Sequence, residues 1–137
     1  MLLYWVIVTT LLTVDIGNTN ITIGAFTDQE LTATWRIATR ETRTIDEHAW
    51  ALKGVLESKG VEPSSFDAVA ICSVVPPLTE DYVDVLASLT DTLPLVIGPG
   101  VRTGIRIHYD RTQDVGADRI VDAVAAHQLY GGPIVVV

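Results

Sequence analysis

Cysteine is almost absent from this sequence. Its single thiol, Cys72, cannot close an internal disulfide or build a multi-cysteine metal site. That usage suits a reduced, cytoplasmic chain. Basic residues are also scarce: nine Lys and Arg stand against seventeen Asp and Glu, for a net charge of −8. The balance argues against a nucleic-acid partner, whose binding face is ordinarily basic. It also repels anions at long range, so a nucleotide site here needs local donors and a cation to outweigh the overall field. No apolar run reaches the ~20 residues that cross a bilayer. The opening MLLYWVIVTTLLTV has no charge before Asp15, and it lacks the basic start of a secretory signal. Residues 1–10 read as an apolar extension, either a mis-assigned start or a membrane-touching segment. Residues 11–15 read as the first buried strand.

What is present points to one folded domain over residues 11–137. Hydrophobic residues make up 48% and charged residues 19%, a globular composition on a chain long enough for a real core. Leu31, Ala33, Trp35 and Ile37 alternate with Thr32, Thr34 and Arg36, the period of a half-buried strand. The first forty residues therefore predict a three-strand antiparallel meander. The period then changes. Thr44 and Glu47 form a capping box, Ile45, Ala49, Leu52 and Leu56 share one helical face, and Gly60 ends that helix. Residues 67–75 are a continuous apolar run stopped by Pro76 and Pro77, the pattern of a strand buried on both faces. Leu78, Tyr82, Val85 and Leu89 predict a second helix, and residues 93–97 a short strand. Residues 105–109 suggest a further extended piece. Asp114 is a natural N-cap for a third helix with Ile120, Val121, Val124 and Leu129 inward and Gly131 after its end. PIVVV, residues 133–137, reads as a closing strand with no polar exit, as in the first half of a larger fold, with an edge open to pairing. A meander followed by alternating helices and strands argues for an α/β fold with a mixed sheet covered by helices.

Two polar segments carry candidate chemistry. In TVDIGNTNITIGAF, a knot of Asp15, Gly17, Asn18, Thr19 and Asn20 interrupts two apolar runs. It is either a plain hairpin turn, since Asn and Gly favour turns, or a loop that holds phosphate. In the second case Gly17 allows close backbone approach, Asn18, Thr19 and Asn20 supply donors, and Asp15 holds Mg²⁺ through its water shell. No GK[ST] follows, so this is not a Walker loop. In GADR, Asp118 falls in the first turn of the third helix, where unpaired N–H groups and the dipole favour a carboxylate. Such a group can accept a proton from a substrate hydroxyl. Arg119 can fork onto a substrate carboxylate, and Gly116 permits close approach. First-turn acids also occur for helix stability alone, and Arg119 can equally be a surface charge. Asp122, one turn on, could pair with Asp118 at a metal but reads first as a solvated helix face. His108 and His127 lack ligand spacing. Cys72 reads as an inert core thiol, and Trp5, Trp35 and Trp50 as packing.

Three segments in order, DIGNTN with ITIGAF, then SVVP at residues 73–76, then GVRTGIRIHYDRTQDVGADRI at residues 100–120, resemble type III pantothenate kinase. The first resembles the leading phosphate motif of the actin-like ATPase superfamily. The resemblance covers residues 11–137 and only the N-terminal half of a family member. It implies an actin-like ATPase (ribonuclease H-like) domain and ATP-dependent phosphorylation of pantothenate, the first step of coenzyme A synthesis. It implies that Asp15, Ile16, Gly17, Asn18, Thr19, Asn20, Ile21 and Thr22 form the ATP segment. It further implies that Asp118 is the proton acceptor, and that Tyr109, Gly116, Ala117, Asp118 and Arg119 line the pantothenate site. ATP, Mg²⁺, a monovalent cation (K⁺ or NH₄⁺) and a homodimer are implied as well, with no nucleic acid or membrane partner. The family's cation-binding aspartate would follow PIVVV and is not in this chain, nor is the second domain that completes the ATP cleft. The expectation is therefore a kinase lineage whose 137 residues are weak or inactive alone. Two alternatives remain: a regulator similar to Bvg accessory factor, which belongs to the same family, and an inactive nucleotide-binding remnant.

Overall fold

The computed structural model describes residues 10–137. The apolar extension assigned to residues 1–10, including Trp5, lies outside the described residues except for Thr10. Thr10 opens strand β1 (Thr10–Ile16). β1 pairs antiparallel with β2 (Asn20–Thr27), and β2 with β3 (Glu30–Ala38), which is the expected meander. Helix α1 (Ile45–Glu57) follows, then β4 (Ala68–Ser73), α2 (Pro76–Thr90), β5 (Leu95–Ile97) and α3 (Ala117–Tyr130). β4 lies parallel to both β1 and β5, so the sheet is mixed, in the order β3-β2-β1-β4-β5.

Strand side chains alternate between faces, and the two faces of this sheet differ in cover. Leu12, Val14, Ile16, Ile21, Ile23, Val69 and Ile71 point to one side and are buried against Leu52 and Leu56 of α1 and Leu78, Tyr82, Val85 and Leu86 of α2. On the other side, Thr13, Asp15, Ala70 and Cys72 share a pocket with Val121 of α3. α1 begins where the sequence says it should. Thr44 Oγ1 accepts from Glu47 N–H at 3.4 Å, and Thr44 N–H donates back to Glu47 Oε2 at 2.7 Å. Pro76 and Pro77 occupy the first turn of α2, where their missing N–H groups cost nothing.

Between α1 and α2, His48 and Tyr82 are fully buried with ring centroids 5.1 Å apart. Neither His48 nitrogen, nor the Tyr82 hydroxyl, finds a hydrogen-bond partner among the described residues. Burial pushes His48 below its ordinary pKa and Tyr82 up to about 12.

Several expectations are corrected. PIVVV forms no strand: no neighbouring strand supplies a ladder, and Val135 and Val137 are exposed. Residues 105–109 alternate in burial but pair with nothing in the sheet. Asp114 does not cap α3. It ends the 3₁₀ turn Thr112–Asp114 with its carboxylate 3.9 Å from Arg111, and Gly116 is the N-cap, without a side-chain bond. β4 is fully buried on only one face, because α3 covers the other incompletely. Leu129 is 73% exposed, and only Ala117 and Ile120 of α3 are buried. Trp35 packs in the core, whereas Trp50 is 82% exposed on α1.

Candidate active site

The β1–β2 connection is three residues long, 17–19. Neither Gly17 nor Asn18 has a positive φ, so this is not the Asn-Gly turn that closes tight hairpins. The backbone bonds show what holds it instead, since buried backbone N–H and C=O groups are nearly always paired. The Ile16 carbonyl accepts from Val74 N–H (3.0 Å), Asn20 from Gly17 N–H (3.0 Å), and Thr19 from Thr39 N–H (2.9 Å). The Gly17 carbonyl accepts from Thr39 Oγ1 at 2.6 Å. Four carbonyls are thus turned inward and satisfied. The N–H groups of Asn18 and Thr19 have no partner among the described residues, and the side chains of Asn18, Thr19 and Asn20 are exposed. A Cβ on Gly17 would stand 3.0 Å from the Asn20 carbonyl oxygen, so the closing bond favours glycine there. Ile16 and Ile21 are buried in the core and offer only backbone. A loop with most of its carbonyls satisfied and two N–H donors left over can receive an anion.

Asp15 lies two residues before the loop's start, across the parallel ladder from Cys72. It keeps access to solvent, yet partial loss of hydration raises its pKa. The Cys72 thiol donates to it and lowers the pKa, while the negative charges of Asp118 and Asp122 raise it again. Cys72 is buried, and burial together with the Asp15 charge pushes its thiol up to about 12. The expected inert thiol is thus also the neighbour of a candidate metal-holding carboxylate. Among the described residues, no three His, Cys, Asp or Glu side chains are grouped to hold a metal ion. A cation here would therefore meet Asp15 through its waters rather than enter a protein cage. The repulsion of Asp15 by two further carboxylates fits such a cation.

α3 brings Asp118 to this side of the sheet. Its carboxylate folds back over the helix start, where Oδ1 accepts from Arg119 N–H at 2.8 Å. A Cβ on Gly116 would collide with that same Oδ1 and come 3.9 Å from Val74 Cγ1. Gly116 is thus required by the pose of Asp118. Arg119 is exposed and forms no ion pair among the described residues. With Asp122, Ala123, Val136 and Val137 it lines a cleft of about 440 Å³. A second, apolar pocket of about 230 Å³ lies between α3 and the sheet, lined by Asp15, Cys72, Ile97 and Val121 among others. Tyr109 is 61% exposed, and no hydrogen bond joins it to Asp118 or Arg119 among the described residues. The structure therefore brings Asp15, Asp118 and Asp122 within electrostatic reach, and leaves Tyr109 outside that group. Thr39 was missed from the sequence. Its signal was register: the meander returns the end of β3 to the β1–β2 loop.

Comparison with known proteins follows the same lines. The family model described as type III pantothenate kinase matches residues 11–137. The type III pantothenate kinase of Dehalococcoides mccartyi is 42% identical over 127 residues, covering 93% of this chain and 49% of that protein. That of Moorella thermoacetica is 42% identical (93% and 50%), and that of Halalkalibacterium halodurans 41% (93% and 50%). The chain spans about half the length of the curated relatives it matches. Among solved structures, the AlfA filament bound to AMPPNP aligns with a TM-score of 0.54 at 10% identity, over 92% of this chain and 39% of that one. A candidate N-acetylglucosamine kinase from Porphyromonas gingivalis aligns at 0.51 and 18% identity, over 68% and 36%. At these identities the likeness is one of fold alone.

Proposed function

The chain belongs to the type III pantothenate kinase family, and from that premise we propose that it supplies one wall of a site that phosphorylates pantothenate with ATP, giving 4′-phosphopantothenate at the entry to coenzyme A synthesis. The observation that carries the proposal is the β1–β2 loop, whose Gly17 and Thr19 carbonyls are occupied within the chain while the Asn18 and Thr19 N–H groups are left without a partner near Asp15. The loop donors hold ATP phosphates. Asp118 accepts the proton of the pantothenate hydroxyl as that oxygen attacks the γ-phosphorus and the bond to the β,γ-bridging oxygen breaks, releasing ADP. Arg119 binds the pantothenate carboxylate as a fork, and Gly116, Ala117 and Tyr109 complete the substrate wall. Asp15 holds Mg²⁺ through water, and the ion, when bound, offsets phosphate charge. The family resemblance also supports a monovalent cation (K⁺ or NH₄⁺), for which this chain has no assigned residue, a cytoplasmic location and a homodimer. Phosphoryl transfer depends on orientation from both sides of the reacting group, so turnover by these residues alone is expected to be weak.

The test is phosphopantothenate formation by the purified chain with ATP, Mg²⁺, K⁺ and pantothenate, alone and with an added chain carrying the second half of a relative. Activity is expected to rise on complementation, and Asp118→Asn to lower it by about 10²–10⁴-fold. A complemented protein that binds ATP but makes no Asp118-dependent product would favour the regulator or remnant readings.

A further inference from the structure

We propose that Thr39 is a positioning residue for phosphate binding: from the end of β3 it fastens the β1–β2 loop by two bonds and so keeps the loop's donors turned outward. This rests on the nucleotide reading above. The argument begins with a missing bond. In a closed hairpin, Gly17 and Asn20 would exchange two hydrogen bonds. Here Gly17 N–H donates to the Asn20 carbonyl at 3.0 Å, and the return bond from Asn20 N–H is absent among the described residues. The Gly17 carbonyl is taken instead by Thr39 Oγ1 at 2.6 Å. The Thr39 backbone N–H takes the Thr19 carbonyl at 2.9 Å. One residue therefore caps the carbonyls on both sides of Asn18.

The chemical consequence concerns sign. A free carbonyl presents partial negative charge, and two of them beside a triphosphate would repel it. With both occupied, Asn18 is the one loop residue whose carbonyl has no partner among the described residues, and the unpartnered N–H groups of Asn18 and Thr19 outnumber it. In a chain of net charge −8, that local polarity decides whether an anion can approach. The Thr39 hydroxyl matters more than its volume, because Ser can make the same Oγ bond and Val cannot.

The experiment compares wild type, Thr39→Val and Thr39→Ser, each complemented with a chain carrying the second half of a relative, by calorimetric binding of ATP with Mg²⁺, binding of adenosine, and amide exchange at Gly17. Loss of one hydrogen bond predicts an ATP affinity about tenfold weaker in Thr39→Val. Adenosine binding should be unchanged, Gly17 exchange faster, and all three restored to near wild type in Thr39→Ser. Equal ATP affinity in wild type and Thr39→Val overturns the role of Thr39 and leaves the nucleotide reading standing. If Thr39→Val is too unstable to assay, Thr39→Ser decides: weak ATP binding by a folded Ser variant overturns the proposal. Absence of ATP binding by the complemented wild type overturns the nucleotide reading itself, and the phosphate role with it, whatever the exchange rates.

Discussion

Replacing His48 with Leu should remove a pH dependence from the stability of this fold. His48 is fully buried between α1 and α2 with both ring nitrogens unpartnered. Burial lowers its pKa from 6.5, Arg43 lowers it further, and Asp81 and Glu47 oppose the shift. Tyr82, the ring it packs against, stays neutral, with its own pKa pushed up to about 12. Above pH 6.5 the imidazole is neutral in both folded and unfolded chains, and its contribution is complete. As pH falls below that value the unfolded chain takes the proton first, and stability is lost through the window down to the lower folded-state pKa. The slope from one such group is at most about 1.36 kcal/mol per pH unit. A chain of 137 residues loses roughly 3–4 °C in Tm per kcal/mol, so the effect reaches at most about 5 °C per pH unit. His48→Leu also removes two unsatisfied polar atoms, each costing about 1–3 kcal/mol when buried without a partner, so at pH 8 the variant should match or exceed wild type. The assay is urea and thermal unfolding of both proteins from pH 8 to 5.5. Carboxylates titrate in both, and the difference between the two curves isolates His48. Curves that stay parallel within about 0.3 kcal/mol across this range would refute the argument.

Two other perturbations address the site. Gly116→Ala places a Cβ against Asp118 Oδ1, so the carboxylate must leave its bond to Arg119 N–H. A loss of about 0.5–1.5 kcal/mol in unfolding free energy is expected, with a fall in Asp118-dependent turnover of the complemented protein. Cys72, with its pKa at about 12, holds roughly one thiolate in ten thousand at pH 8; a disulfide reagent should leave the native thiol unlabelled and label it at once in denaturant.

Much of this was legible because it is local. The capping box at Thr44 and Glu47, the alternation through Trp35 and the paired prolines of α2 each state their structure within a few residues. PIVVV was misread because a strand is not a local property: four apolar residues become one only where a neighbour offers a ladder. Asp114 was misread as a cap because a short polar side chain before a helix serves equally well in a 3₁₀ turn beside Arg111. The site divides the same way. The donors of Asn18, Thr19 and Asn20 could be read from the sequence. The pairing of Asp15 with Cys72 across a parallel ladder could not, and neither could the hold of Thr39 on the loop. Both arise from sheet register, and β1 meets β4 only after more than fifty intervening residues.

The uneven cover of the sheet has a consequence for how the site comes apart. β1 and β2 are buried with the main core, whereas α3 keeps only Ala117 and Ile120 buried out of fourteen residues. Elements with little buried apolar surface open at low free energy, as separate cooperative units. The β1–β2 loop and Asp118 therefore belong to units of different stability. α3 is expected to lift from the sheet and carry its carboxylate away while the meander remains folded, so the β1–β2 loop would outlast its pairing with Asp118 on the way to unfolding.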